Sequence, residues 1–367
     1  MKFTFHKTAA AAAIAASLAL TACVDSTSFP TTPPVVVPDA GTVVLTGTAT
    51  KGDLIGADIY ACLASATACL NADATSIVGL AIASDVSTAE GYSIDLPATA
   101  FGKAVVIRVF ANATTTQECD YTDCVSDEDL TGLTLSTVTF VDTPADGETA
   151  TVDASMSVLS TLATDTLLDS AADGAFDTID AAGLAAVTKI ASKSVATLLG
   201  LDVKVSETED VDLFKIKLPS ATGTKLAAAG AQGSVSAEIV QKLALVNASF
   251  GTLVEKSGTT TTKTLADAIK TVSTQVKAAV NATAAEITSG SIDLSEVTKA
   301  VAKIKTETVK KVAEVSSSVT ITPPAVVEAD KVADTVKEAL IEQGVIDDTV
   351  VIVVTGTTGS TNTGAAN

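Results

Sequence analysis

The sequence contains no tryptophan, three tyrosines and a single histidine, and aromatic residues make up only 3% of it. The histidine, His6, lies in an N-terminal segment with the features of a cleaved secretory signal. Cleavage would leave no imidazole, which excludes Ser-His-Asp and Cys-His catalysis, histidine-bound zinc and histidine-ligated haem. The sequence also lacks a Ser-x-x-Lys motif, a Gly-x-Ser-x-Gly elbow, a phosphate loop and a dinucleotide fingerprint. We therefore expect a protein that is not an enzyme.

The N-terminal segment begins with Lys2 and Lys7, continues as a short apolar run and ends in Leu20-Thr21-Ala22-Cys23. The run is too short for a permanent membrane-spanning helix, so residues 1–22 are predicted to be a signal peptide. The last four residues resemble the lipobox of bacterial lipoproteins. That resemblance implies that Cys23 carries two or three palmitate-type acyl chains, enough for stable membrane attachment. The alternative is an ordinary secreted protein whose signal is cleaved elsewhere.

The residues after Cys23 predict the destination of the chain and its distance from the membrane. In the sorting rule of Gram-negative lipoproteins, Asp directly after the acylated cysteine retains a protein in the inner membrane. Val24 occupies that position, so we expect lipid anchoring in the outer membrane, at the cell surface or the periplasmic face. Residues 23–42 are rich in proline and are predicted to be a tether. At about 3.1 Å per residue, this tether would span roughly 50–60 Å.

The chain is strongly acidic, with a formal net charge of −20. Removal of the two signal-peptide lysines would lower the charge to about −22, a value that repels nucleic acid and excludes it as a partner. Hydrophobic residues make up 47% of the sequence, enough for two cores. We therefore expect an α+β protein with two domains, whose only membrane contact is the N-terminal lipid.

Residues 43–153 alternate short β-branched runs with Gly, Asp and Pro, which predicts an antiparallel β-sandwich. The expected strands are Val43–Ala49, Ala57–Leu63, Ile77–Ser84, Tyr92–Leu96, Ala104–Ala111, Leu133–Val141 and Ala150–Asp153. Two stretches, Thr46–Tyr60 with its Gly-Ala return strand and Ala89–Leu96 with its Gly-Tyr-Ser segment, resemble the transthyretin-like, carboxypeptidase-regulatory-like sandwich. The resemblance implies a fold and no active site.

Residues 154–344 change to a helical period and predict a helical bundle. The expected helices follow Met156 to Leu167, Asp180 to Gly200, Ala237–Val254, Leu265 to Val280, and Leu294 to Val315, the last with a capping-box-like start at Asp293 and Glu296. The order of lipobox, tether, sandwich and Ala/Thr-rich helices resembles a group of poorly characterised Gram-negative lipoproteins. In that group a segment similar to Val158–Ala163 stands between the sandwich and the helices.

Residues 345–367 are predicted to form a terminal β-strand and a flexible tail. The run Thr349–Thr355 is continuously apolar, and such a strand invites pairing if its edge stays exposed. Two interpretations remain open: the strand returns to the sandwich and completes a sheet, or it inserts into a neighbouring molecule and links subunits.

Four cysteines remain if Cys23 is acylated, and export favours two disulfides. Of the three connectivities we prefer Cys62–Cys69 and Cys119–Cys124, because each pair brackets a short polar loop. Around the second pair lie five acidic side chains that could hold calcium. They are Asp120, Asp123, Asp127, Glu128 and Asp129. Their spacing is not that of an EF-hand loop, so a solvated acidic loop is the alternative, and we expect no other cofactor.

These features predict a non-enzymatic, lipid-anchored protein of the outer membrane or cell surface with a structural or adhesive role. A first alternative is an envelope binding module for a glycan or a protein partner. Clustering of Tyr60, Tyr92 and Tyr121 on one face would favour it, since glycan sites usually expose aromatic rings. A second alternative is a subunit of a surface filament that self-associates through its C-terminal strand.

Overall fold

The computed structural model describes residues 41–121, 124, 130–171, 174–201, 204–206, 209–257, 260–280 and 295–315. Strands dominate its N-terminal half and helices follow, which confirms the mixed α+β class. The signal peptide, all but the end of the tether, the capping residue Asp293 and the C-terminal strand with its tail lie outside the described residues. No helix within the described ranges is long and apolar enough to cross a membrane.

Two main sheets form the N-terminal half. Their strands are β1 (Thr42–Gly47), β2 (Ala49–Thr50), β4 (Asp58–Leu63), β5 (Ala83–Val86), β6 (Tyr92–Leu96), β7 (Lys103–Phe110), β9 (Thr134–Val141), β10 (Thr149–Asp153) and β11 (Met156–Ser157). One sheet has the order β10-β1-β6 and the other the order β2-β11-β9-β7-β4-β5. Most pairs are antiparallel, but β1 pairs with β10, and β2 with β11, in parallel. A separate short ladder joins β3 (Leu54–Ile55) to β8 (Thr116–Gln117).

Side chains from both sheets meet in one core. Val43 and Leu45 on β1 and Ile94 on β6 are buried in the same cluster as Ile59 on β4 and Ile107 on β7. Burial alternates along β1 and β6, as expected for strands with one face toward a core. The central strand β7 is buried along most of its length because its other face contacts α3 and, at Arg108 and Phe110, the loop after β4.

One predicted strand is wrong. Ile77–Ser84 contains a 3₁₀ helix at Ile77–Gly79, and strand β5 begins only at Ala83. The carboxylate of Asp73 accepts hydrogen bonds from both Thr75 and Ser76 and turns the chain before Ile77. Of this apolar run, Ile77 packs beside the first disulfide, whereas Val78 is 65% exposed. Residues 77–82 therefore close a loop, and only Ala83 and Ser84 of the predicted strand join the ladder with β4.

The described part of the chain contains seven helices, and all but the first follow the two main sheets. They are the short α1 (Thr67–Leu70), α2 (Val158–Ser170), α3 (Ala181–Leu198), α4 (Gly223–Ala228), α5 (Ala237–Ser249), α6 (Leu265–Val280) and α7 (Ser295–Val315). The five predicted helices correspond to α2, α3, α5, α6 and α7. Helix α3 begins directly after Asp180, where the predicted helix starts, and the Asp180 side chain caps it by accepting a hydrogen bond from the Gly183 amide. Two hairpins were not predicted: β12 (Lys204–Ser206) with β13 (Glu209–Asp210), and β14 (Glu255–Ser257) with β15 (Thr260–Lys263).

Helix α2 joins the sheets to the helices. Its first turn has a capping box between Ser157 and Ser160, and Ser160 also donates to the carbonyl of Ser136 on β9. The Thr161 hydroxyl accepts a hydrogen bond from the amide of Ser136. The first turn of α2 is therefore hydrogen-bonded to both the backbone carbonyl and the backbone amide of one residue of β9. The segment Val158–Ala163 thus stands at the predicted position between strands and helices. One buried cluster continues from the sheets through α2 to α3, α5, α6 and α7 and crosses the predicted boundary between residues 153 and 154.

Candidate functional site

The most unusual chemistry lies where the loop after β2 meets the helical half. We call this region the Lys51 junction, and it comprises Thr50, Lys51, Gly52, Asp53, Glu118, Asp120, Tyr121, Lys225, Asn247 and Gly251. The first seven belong to the sheet half and the last three to the helical half. Its polar contacts join residues far apart in sequence, so its geometry depends on the complete fold.

Close backbone contact between two loops holds the junction together. Gly52 has φ +60, and its carbonyl accepts a hydrogen bond of 3.2 Å from the amide of Glu118. A Cβ atom at Gly52 would lie 1.8 Å from the Glu118 carbonyl oxygen, so only glycine fits. The ladder between β3 and β8 continues this pairing, with Leu54 opposite Gln117. The residues on either side of Gly52 are therefore held against the loop that contains Asp120.

Lys51 and Asp120 form a fully buried pair at the centre of the junction. The Lys51 side chain is 0% exposed and that of Asp120 is 1% exposed, with 3.3 Å between Nζ and Oδ1. The Lys51 Nζ atom also lies 4.4 Å from the centre of the Tyr121 ring. Gly251 packs directly against that ring, since a Cβ atom there would lie 2.4 Å from ring carbons. Among the described residues, Oδ2 of Asp120 has no hydrogen-bond partner.

A second lysine at the junction is open to solvent. Lys225 on α4 contacts Oδ2 of Asp53 and Oε2 of Glu118, each at 2.6 Å, and is 45% exposed. Burial raises the pKa of Asp53, which the hydrogen bond and charge of Lys225 partly oppose. The same two carboxylates raise the pKa of Lys225 against its own desolvation. Lys225 is 45% exposed, Glu118 32% and Asp53 18%, so solvent screens the contact mainly on the lysine side.

Asn247 provides the neutral part of the junction. It is fully buried on α5, and its Nδ2 atom donates to the Thr50 carbonyl at 2.8 Å. Its Oδ1 atom accepts from the amide of Val158 at 2.9 Å, at the start of α2. The Thr50 hydroxyl donates to the Leu218 carbonyl at 3.0 Å. One amide side chain thus links strand β2 to two helices.

A cleft of about 590 Å³ opens beside the junction. Its lining includes Tyr121, Gly251, Lys256, Lys303, Glu307 and Lys310. Three of these side chains are cationic and one is anionic, so the cleft is locally basic in a strongly acidic protein. Lys303 is paired with Glu255 at 3.0 Å and Lys310 with Glu307 at 3.6 Å. The cleft could accept an anionic group that competes for these lysines.

Both predicted cysteine pairs lie at disulfide distance. Cys62–Cys69 closes the loop after β4, and the Arg108 guanidinium donates to the carbonyls of Cys69 and Ala72 in that loop. Burial lowers the pKa of Arg108, whereas the charge of Asp165 raises it. Cys119–Cys124 closes the loop that contains Asp120 and Tyr121. The second disulfide is therefore part of the support of the Lys51 junction.

The predicted calcium residues are described only in part. Asp123, Asp127, Glu128 and Asp129 lie outside the described residues, and the fifth, Asp120, is paired with Lys51. Among the residues that are described, no group of three His, Cys, Asp or Glu side chains could hold a metal ion. Acylation of Cys23 likewise concerns a residue outside the described part.

The three tyrosines do not share an exposed face. Tyr92 is buried between the sheets, where its hydroxyl donates to the Ala154 carbonyl, and burial raises its pKa well above the ordinary value. Tyr60 packs edge-to-face on Phe110, with 6.0 Å between ring centres. Tyr121 is 7% exposed at the cleft. The aromatic surface that would favour a glycan site is therefore not formed by these residues.

Of the junction residues, sequence patterns indicate only Asp120 and Tyr121, and not Lys51, Lys225 or Asn247. A lysine is usually solvated, and the segment Thr50–Asp53 gives no sign of a partner 69 residues away.

Comparison of the chain with protein-family models, with curated proteins and with solved structures found no match.

Proposed function

We propose that this chain is a non-enzymatic, lipid-anchored protein of the outer membrane with a structural or adhesive role at the cell surface. In this proposal Cys23 carries the lipid, residues 23–42 form the tether, and a β-sandwich and a helical bundle form the body. The Lys51 junction is the observation that carries the structural role. Its buried Asn247 side chain fixes strand β2 to α5 and α2, so that a load on the tether would reach these helices through buried polar links.

The core supports the same proposal. The tether leads directly into β1, whose partners are β6 and β10 in the three-stranded sheet. The buried side chains of that sheet share one cluster with those of the six-stranded sheet and of the helices. Force applied at the N-terminus would therefore be distributed over one continuous core rather than over two separately packed bodies.

The anchor is tested by membrane fractionation of cells that express the full chain. We expect the wild-type chain in the outer-membrane fraction and the Cys23→Ser variant in the soluble fraction. The matched control is Val24→Asp, which leaves the acylated cysteine intact and should move the protein to the inner membrane. A Cys23→Ser chain that still fractionates with membranes would refute lipid anchoring.

Display is tested by protease treatment of intact cells. An adhesive role requires that the body be degraded without lysis of the outer membrane. Protection until the outer membrane is permeabilised would remove adhesion and restrict the proposal to a structural role at the periplasmic face. A periplasmic marker protein that stays intact shows that the cells were not lysed.

The cleft beside Tyr121 favours a second candidate function, that of a binding module for an anionic glycan. Titration with a sulfated oligosaccharide should then give saturable binding, which a neutral oligosaccharide of equal length would not give. Lys310→Glu should weaken this binding at least tenfold. Lys311→Glu is the matched control, because Lys311 pairs with Glu314 and is not part of the cleft lining. Equal loss in both variants would indicate a nonspecific charge effect.

Subunit linkage through Thr349–Thr355 stays a prediction that concerns residues outside the described part. Deletion of residues 349–367 should leave a folded monomer if the strand links subunits, with loss of any filaments seen by electron microscopy. Loss of the fold itself would instead indicate that the strand completes a sheet.

A further inference from the structure

The Lys51 junction brings together a primary amine and a carboxyl group in a site from which water is excluded. We infer that Lys51 and Asp120 become joined by an isopeptide bond between Nζ and Cγ as the chain folds. The inference does not depend on the lipid anchor or on the proposed role of the protein. It concerns two side chains of the body whose positions are described.

The first argument is proximity. The Lys51 Nζ atom lies 3.3 Å from Oδ1, an atom bonded directly to the Asp120 carbonyl carbon. Both loops are held by backbone contacts, namely the hydrogen bond between Glu118 and Gly52 and the adjoining ladder between β3 and β8. The two groups therefore approach without loss of further backbone freedom. Such fixed proximity can raise effective concentrations by orders of magnitude.

The second argument is incomplete solvation of the charged pair. An ammonium group has three donors, yet in the described part of the chain Nζ contacts only one carboxylate oxygen and the face of the Tyr121 ring. The other carboxylate oxygen, Oδ2, has no partner among the described residues. A buried ion pair with so few hydrogen bonds pays a large desolvation penalty. An amide carries no charge and needs fewer partners.

The reaction is a condensation that requires no oxidant, reductant or further reactant. A proton passes from the Lys51 ammonium to the Asp120 carboxylate, which gives an amine and a carboxylic acid. The nitrogen lone pair attacks Cγ, the C–N bond forms, and a nitrogen proton moves to the departing oxygen. The C–O bond breaks and one water molecule leaves. The burial of both side chains then keeps water from reversing the reaction.

Digestion of the denatured and reduced full-length protein tests the inference. Trypsin normally cleaves after Lys51 and releases residues 52–103, while Asp120 lies in the separate tryptic peptide 109–189. Acylation of Nζ blocks cleavage at Lys51 and joins the two regions. Neither disulfide links these peptides, since each lies within one of them. We expect a joined species made of the peptide that ends at Lys103 and is uncleaved at Lys51, together with peptide 109–189. Its mass should be about 18 Da below the sum of these two peptides, because one water is lost.

Lys51→Arg is the matched variant, because it keeps the positive charge and the trypsin site but replaces the amine that forms the bond. This variant should release residues 52–103 and 109–189 as separate peptides. Release of residues 52–103 from the wild-type protein in full yield would overturn the inference. A joined species that persists in Lys51→Arg would also overturn it, since the link would then involve another residue.

Discussion

The two lysines of the junction make opposite use of similar partners. Lys51 is fully buried and contacts one carboxylate at 3.3 Å, whereas Lys225 is 45% exposed and contacts two carboxylates at 2.6 Å. By number and length of contacts, Lys225 has the better ion pairs. The contact of Lys51 nevertheless contributes more to stability, because Lys51 is buried and loss of its partner would leave a charge that water cannot reach.

The contribution of an ion pair to stability thus depends on what solvates the remaining charge when one partner is removed. Water can solvate Lys225 as soon as Asp53 or Glu118 is removed, so little free energy is lost. Lys51 is 0% exposed, so water does not reach its ammonium group while the fold is intact. The buried side of the junction should therefore determine stability, and the exposed side should adjust it only slightly.

The largest effect is expected for Asp120→Ala. This change leaves the buried Lys51 ammonium without a carboxyl group to pair with or to bond to, and we expect a loss of at least about 4 kcal/mol in the free energy of unfolding. Urea titration followed by circular dichroism measures it. The matched control on the exposed side is Glu118→Ala, for which we expect a loss below about 1 kcal/mol. Equal losses in the two variants would contradict the ranking by burial.

Gly52→Ala should have the next largest effect. The new Cβ atom would collide with the Glu118 carbonyl oxygen in addition to the strain of a positive φ, and we expect a loss of about 3 kcal/mol. Gly147→Ala is a suitable control, because Gly147 also has positive φ but no atom lies within 4 Å of its would-be Cβ. The control should lose only about 1 kcal/mol, and thermal unfolding of both variants gives the difference.

Asn247→Ala tests the neutral part of the junction. It leaves the Thr50 carbonyl and the Val158 amide without their partner, so we expect a loss of about 2 kcal/mol. Asn112 provides a comparison within the sheet half, since it binds the nearby Gly56 carbonyl at a half-buried position. For Asn112→Ala we expect about 1 kcal/mol. If Asn247→Ala lost no more than Asn112→Ala in urea titration, the link between β2 and the helices would not be important for stability.

Local patterns were sufficient to predict much of the fold. Helix α6 has the predicted bounds because Leu265, Ile269, Val272 and Val276 repeat at helical spacing and face the core. The preferred cysteine pairing, chosen from three connectivities because each pair brackets a short polar loop, matches the two pairs found at disulfide distance. The strand prediction at Ile77–Ser84 failed where local hydrogen bonds to Asp73 outweighed an apolar pattern.

The junction could not be predicted, because its contacts join distant parts of the chain. Asn247 pairs with Thr50 across 197 residues, and nothing in the sequence around either residue indicates the other. The only local signal is that Asn247 lies between the apolar residues Val246 and Ala248 on a helix, and both neighbours are buried. For Lys51, the glycine at position 52 indicates a close backbone approach but not the carboxylate that meets the lysine.

Lys225→Ala should have a small effect on stability although it removes two contacts of 2.6 Å. We expect a loss of about 0.5 kcal/mol, because solvent replaces the lysine around both carboxylates. Added salt should reduce the difference between wild type and variant, as expected for exposed charges. Urea titrations at low and high salt measure both quantities. A loss that exceeds about 2 kcal/mol and does not respond to salt would place Lys225 in the same class as Lys51.

The smallest effect is a pH dependence that tests the burial of the Asp165 carboxylate. Asp165 on α2 is bonded to the Ser273 hydroxyl on α6 at 2.5 Å, and burial raises its pKa above the ordinary value of 3.8. Because the folded state then binds the proton more tightly than the unfolded state, stability should decrease as the pH rises from 3.8 through the raised pKa. Asp165→Asn should remove this decrease. Ser273→Ala should enlarge the total decrease in stability, since the Ser273 hydrogen bond lowers the pKa of Asp165 and its loss would raise that pKa further. Urea titrations across this pH range measure the decrease, which would be smaller if the carboxylate were instead well solvated.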